Sequence, residues 1–195
     1  MKKVISGFTL IELLIVVLIA GILTAIAVPQ YQKAVTRSRN ATLKAYVTAI
    51  GQAEKLYFME HGKYAANFRD LDVKLSGFRE PTTSGTEEKY FNSSNPCALA
   101  TMGDNAIIYA DNFLLMLNTT NVTKGMSVRG LYWKDKWTQI KWQCAGMTYY
   151  LPDDTLYCWE GGNANNGYKQ GAGDFCEKIE RGTYTGKGSR LYSLP

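Results

Sequence analysis

The hydrophobic pattern of the chain changes character at Pro29. Between Lys3 and Lys33 the only charged side chain is Glu12, and from Leu13 to Val28 every residue is aliphatic, glycine or threonine. Such a segment is apolar on every side and reserves no face for water. At ~1.5 Å per residue, 8–28 makes a helix of roughly 30 Å, the hydrocarbon thickness of a bilayer. Pro29 removes a backbone donor and crowds the carbonyl of Ala25, so a kink is expected there. A different pattern follows. Ala34, Ala41, Leu43, Val47, Ile50, Ala53 and Tyr57 recur mainly at three- and four-residue steps, with Lys33, Arg37, Arg39, Lys44 and Lys55 between them. This predicts an amphipathic helix with one face for a sheet to cover. Gly62 ends it, and His61 in its last turn suits the negative end of the helix. A helix over 8–61 would be roughly 80 Å long. The rest of the chain cannot cover its first half, so lipid or other copies of the helix must.

The second half of the chain reads as strands. Residues 63–105 are rich in Gly, Pro, Ser, Thr and Asn, with Leu71, Val73, Leu75 and Phe78 as scattered anchors, and are expected to be an irregular connection. Segments 107–110, 113–118, 131–133, 138–144, 147–151 and 155–159 carry β-branched and aromatic residues between turn residues, with Pro152-Asp153-Asp154 joining the last two. The expected class is α+β: one long helix packed on an antiparallel sheet. The aromatics Tyr109, Tyr132, Trp133, Trp137, Trp142, Tyr149, Tyr150, Tyr157 and Trp159 could stack on sugars or bases. On alternating strands they are read as core and cross-strand pairs.

Composition narrows the functions. With 195 residues and a net charge of +5, the chain suits one domain with an appendage, and its charge is too small and scattered for a nucleic-acid-binding domain. A single histidine, His61, argues against His-rich metal centres and His-based triads. No G-x-S-x-G, Walker loop, G-x-G-x-x-G or H-E-x-x-H is present, and no cofactor is expected. Asp153 and Asp154 are a carboxylate pair only in sequence, since neighbours in a turn face apart. Asn163, Asn165, Asn166 and Gly167 lack the carboxylates of a calcium loop. Asn40, Asn92, Asn118 and Asn121 each open an N-x-S/T triplet.

Three readings compete for the N-terminus. A cleaved secretory signal would use Lys2, Lys3 and the Ala25-Ile26-Ala27 site, but the apolar run is long and carries an acid near its start. A plain single-span anchor leaves Glu12 unexplained. The run Gly7-Phe8-Thr9-Leu10-Ile11-Glu12, after a short basic leader and before a long apolar helix, resembles the type IV pilins and the related pseudopilins over about residues 1–60.

That resemblance implies a pilin fold, with a long kinked helix and a disulfide-bounded loop near the C-terminus. It implies cleavage between Gly7 and Phe8 by a prepilin peptidase, and methylation of the Phe8 amine. The organisation would be a leader at 1–7, a transmembrane and polymerisation helix at 8–29 and its amphipathic half at 30–62. The globular head, 63–195, would comprise a loop at 63–105, the sheet at 106–159, the bounded loop at 158–176 and a tail at 177–195. Gly21 and Pro29 mark where the helix would kink or lose regular structure in a filament. The N-terminus would face the cytoplasm while the chain sits in inner-membrane lipid. A carboxylate in hydrocarbon is costly unless paired. By position alone Glu12 could equally snorkel to the head groups or pair with a neighbouring copy; the resemblance favours pairing, with the Phe8 ammonium of that neighbour.

Four cysteines allow three pairings. Cys158–Cys176 would close the Gly/Asn-rich loop and would resemble the pilin arrangement, leaving Cys97 for Cys144; a zinc site is the rival. The implied function is a structural subunit of a homopolymeric surface filament, driven by a separate assembly platform and ATPase. Alternatives are a secretion pseudopilin, a minor pilin that primes assembly or binds DNA or surfaces, and an anchored carbohydrate-binding module or enzyme.

Overall fold

The computed structural model describes residues 8–80, 107–110, 112–118, 126–132, 144–160, 175–185 and 191–195. Helix α1 runs over Leu10–His61, with Pro29 inside it. The chain divides into two units, Met1–Ser38 and Arg39–Pro195. In the first, every apolar side chain from Leu10 to Val28 is exposed.

The second unit is a helix-on-sheet head. Its strands are β1 (Ile107–Tyr109), β2 (Phe113–Asn118), β3 (Ser127–Tyr132), β4 (Ala145–Tyr150), β5 (Thr155–Glu160), β6 (Thr183–Tyr184) and β7 (Leu191–Ser193). All neighbours are antiparallel, in the order β1-β2-β3-β4-β5-β7-β6. The first five strands form a meander. β7 then pairs with β5, and β6 takes the outer edge.

The expected α+β architecture is therefore present, with four corrections. The strand expected at 131–133 is β3 and begins at Ser127, because Ser127 and Arg129 alternate outward while Val128 faces the core and Gly130 supplies no apolar side chain to signal it. The supposed tail at 177–195 contains β6 and β7. The helix begins at Leu10, since Thr9 caps it. Ala34 and Ala41 are exposed, whereas Asn40 and Glu54 are buried. The buried stripe of α1 in the head is Asn40, Leu43, Val47, Ile50 and Glu54, a three-four alternation with a polar residue at each end, and Gly51 is buried beside it. The expected strand at 138–144 falls outside the described residues except for Cys144, which lies in a turn with φ 69°. Trp133, Trp137, Trp142 and the Asn163–Gly167 run also fall outside them.

The helix lies close on the sheet at two glycines. A Cβ on Gly130 would lie 2.5 Å from a Val47 methyl, and one on Gly51 would lie 2.5 Å from the Tyr149 ring. Around these contacts Leu43, Val47 and Ile50 pack with Leu115, Leu117, Val128 and Met147, all almost fully buried. Strand alternation sends Ile107, Leu114, Met116, Leu131 and Trp159 to the opposite sheet face, where they form a second buried cluster. Tyr109, Tyr132 and Tyr149 are buried, as a core role for the aromatics requires.

Candidate assembly site

Thr9-Leu10-Ile11-Glu12 folds locally as a capping box, in which the first and fourth residues satisfy each other's backbone. The Thr9 backbone N–H donates to Glu12 Oε2 at 2.8 Å, and the Thr9 hydroxyl donates to the same oxygen at 2.6 Å. The Glu12 N–H donates back to Thr9 Oγ1 at 3.4 Å. The acid that sequence reading reserved for a neighbouring copy thus has a local task within its own chain. The signal for it, Thr-x-x-Glu before an apolar run, was legible in the sequence.

Beyond the cap, α1 is long and apolar enough to cross a membrane, and none of its most apolar window is buried. Phe8 is 79% exposed and Leu10 82%. Thr24 bonds its hydroxyl to the Ala20 carbonyl at 2.7 Å, so this polar group is satisfied inside the helix. Gly21 has open space where a Cβ would stand, and Pro29 is passed without a break in the helix. Gly7 lies outside the described residues.

At the far end, Gly62 takes φ +69° and donates to the Phe58 carbonyl at 2.8 Å, which stops the helix. The His61 ring stacks on Tyr57 with centroids 4.1 Å apart, and its Nδ1 lies 3.1 Å from the Tyr57 carbonyl oxygen.

Three buried carboxylates hold the head together, and sequence reading missed all three. Glu54 is fully buried. The Ala65 N–H donates to its Oε2 at 2.9 Å, which ties the chain after the helix back onto α1. Its Oε1 has no hydrogen-bond partner among the described residues. Burial pushes the Glu54 carboxyl up to about 7, against the lowering effect of the Ala65 N–H, with Asp70 adding to the rise. Glu160 is also fully buried, and its Oε1 accepts from the N–H groups of Phe175 at 2.6 Å and Cys176 at 3.0 Å. Beside it Tyr192 is pushed up to about 12, chiefly by burial and then by the Glu160 charge, so its phenol stays neutral.

Glu180 completes the set. Tyr132 donates its hydroxyl to Asn40 Oδ1, the Asn40 amide donates to Glu180 Oε1, and Lys44 Nζ lies 2.5 Å from Glu180 Oε2. Burial, followed by the Glu180 charge, raises the Tyr132 phenol far above its usual range. This relay joins α1, β3 and the turn before β6. Asn40 is 1% exposed, which leaves its triplet unavailable as an acceptor in the folded head.

The Cys158–Cys176 disulfide closes the same region, with an S–S distance of 2.07 Å. Cys144 is also disulfide-bonded, and Cys97 lies outside the described residues. Asp153 and Asp154 do face apart: Asp154 Oδ2 lies 2.5 Å from Lys55 Nζ on α1, while Asp153 lines a cavity on the opposite face of the sheet.

Comparison with known proteins agrees with this geometry. Residues 2–28 match the family model described as the prokaryotic N-terminal methylation motif. The fimbrial protein EcpC of Eikenella corrodens is 35% identical, over 78% of this chain and 91% of that protein. The type IV major pilin protein PilE1 of Neisseria gonorrhoeae is 30% identical, over 77% and 82%. The type IV major pilin protein PilA of Myxococcus xanthus is 48% identical, over 30% of this chain and 27% of that protein. No solved structure matches the chain. With a capped, bare apolar helix leading into a helix-on-sheet head, and with relatives similar along most of their length, this chain belongs to the type IV pilin family.

Proposed function

We propose that the chain is a structural pilus subunit, cut between Gly7 and Phe8 by a prepilin peptidase, methylated on the Phe8 amine, and polymerised through residues 8–29. The observation that carries this reading is an apolar helical surface with nothing from its own unit upon it: every large aliphatic side chain from Leu10 to Val28 is exposed. Lipid covers that surface before assembly, with the N-terminus cytoplasmic, and identical helices cover it in the filament displayed at the cell surface. The assembly platform and its ATPase act from outside the chain, whose own role is structural rather than enzymatic.

In this scheme residues 30–62 carry the head, 63–195, and Gly21 and Pro29 are the places where α1 yields as it leaves lipid. Glu12 changes partners. In the single subunit it caps its own helix. On docking, its carboxylate also meets the Phe8 ammonium of a neighbour, which neutralises two charges in a water-free core and sets the register. The head remains folded throughout, held by Cys158–Cys176, by the second disulfide, proposed as Cys97–Cys144, and by the three buried carboxylates.

The test is mass spectrometry and electron microscopy of sheared surface material. The expected result is a fibre made mainly of this chain, beginning at N-methylated Phe8. A mature chain retaining residues 1–7, or beginning at Val28, would overturn the proposal.

A further inference from the structure

The sheet face turned away from α1 holds a cavity of about 340 Å³, within the range of roughly 300–1,000 Å³ usual for small-molecule sites. Register explains its lining. Ser127 pairs with Tyr150 and Arg129 with Thr148 across β3 and β4, and Thr148 pairs with Tyr157 across β4 and β5. All five side chains therefore project on the same face. Asp153, from the turn between β4 and β5, adds a carboxylate.

Two features mark this as a built site. Ser127 is 1% exposed and Thr148 2%, yet neither Ser127 Oγ nor Thr148 Oγ1 has a hydrogen-bond partner among the described residues. Burying a hydroxyl unpaired is unfavourable, and here two belong to residues that line one cavity. The Arg129 guanidinium lies 5.1 Å from the Trp159 ring centroid, a stacking contact that holds it in place at the cavity.

The donor set selects the ligand class. Ser127, Thr148, Tyr150 and Tyr157 offer hydroxyls that both donate and accept, Arg129 only donates, and Asp153 only accepts. A simple anion would meet Asp153. Among the described residues no cluster of three metal-ligating side chains exists, which leaves a cation poorly served. Alternating hydroxyl donors and acceptors with both charges present match a neutral polyhydroxylated ring. We infer that this cavity binds a neutral saccharide unit through Ser127 and Thr148, with Arg129 and Asp153 orienting it. The inference is independent of whether the chain polymerises.

Saturation-transfer NMR on the full chain tests it, in a zwitterionic, sugar-free detergent with methyl glucoside, methyl galactoside and methyl N-acetylglucosaminide as probes. At least one probe is expected to receive saturation, and Ser127→Ala with Thr148→Val together should weaken that binding about tenfold. The same double variant should unfold at an unchanged or higher temperature, because the hydroxyls it removes support nothing in the fold. Tyr157→Phe, which leaves the packing intact, should also weaken binding. Absence of transfer to all three probes, equal transfer to the double variant, or transfer blocked by inorganic phosphate rather than by excess sugar would each overturn the inference. A lower unfolding temperature for the double variant would likewise count against it, since the hydroxyls would then be structural.

Discussion

The side-chain amide of Asn40 donates to the buried carboxylate of Glu180, 140 positions further along the chain. Asn40 also accepts from Tyr132, and Lys44 neutralises Glu180 from the next turn of α1. One asparagine thereby satisfies a phenol and a carboxylate that are both out of water. Replacing it with leucine removes one buried hydrogen-bond partner from each. The expected loss is about 2–4 kcal/mol, measured by denaturant unfolding of the full chain in detergent. Lys44→Met should cost less, because Lys44 is a third exposed and its pairing is partly screened.

Glu54 makes the head sensitive to pH. Its folded carboxyl titrates at about 7, well above its ordinary value of 4.5. Folding therefore favours its protonated form, and the stabilisation is complete below about 4.5. It declines as pH rises toward 7 and is lost above that, a change on the order of 3 kcal/mol. Glu54→Gln retains an acceptor for the Ala65 N–H and has no proton to lose. Unfolding free energies between pH 4.5 and 8 should fall in the parent chain through this group and lose that component in the variant, which should be the more stable at pH 8.

Gly51 sets two effects against each other. Alanine is the better helix former by about 1 kcal/mol. A Cβ at this site, however, would lie 2.5, 2.7 and 2.9 Å from three atoms of the Tyr149 ring, and overpacking of this kind costs about 1–3 kcal/mol. Gly51→Ala is expected to lower the unfolding temperature, and Tyr149→Leu in the same chain to recover part of the loss. A stabilised single variant would show that the ring moves aside freely.

Glu160 and the Cys158–Cys176 disulfide secure one loop by different means. The disulfide limits the unfolded chain, and replacing both cysteines with serine should cost about 3 kcal/mol. Glu160→Ala removes the acceptor of the Phe175 and Cys176 N–H groups, so it should destabilise the folded head with the disulfide intact. Amide hydrogen exchange at Phe175 and Cys176 distinguishes them from neighbours that keep their partners.

The capping box allows charge pairing to be separated from helix capping. Glu12→Gln keeps an acceptor for Thr9 and so keeps the cap, but it carries no charge for a neighbour's amine. Glu12→Leu loses both. The proposed assembly requires both variants to insert in the membrane and neither to form filaments. Normal filament yield from Glu12→Gln, seen by electron microscopy of sheared material, would reduce Glu12 to a helix cap.

The long N-terminal helix and the α+β class were legible from consecutive residues alone. An uncharged run the length of a bilayer, a period near 3.6 after Pro29, and Gly62 as a stop are local properties of consecutive residues. β2, with its run of apolar residues, was legible to the residue. The start of β3 was not, because Gly130 exists for the close passage of Leu43 and Val47, and a contact between distant segments leaves no periodicity. The same reason hid the polar members of the site. Asn40, Glu54, Glu160 and Glu180 read as ordinary surface residues in the sequence. Their burial is a product of folding, because the cost of burying each is offset by partners brought from elsewhere in the chain. The outer-face cavity belongs to this second kind as well. Ser127 and Thr148 stand on different strands, and the register of β3 against β4 alone brings their hydroxyls to one place.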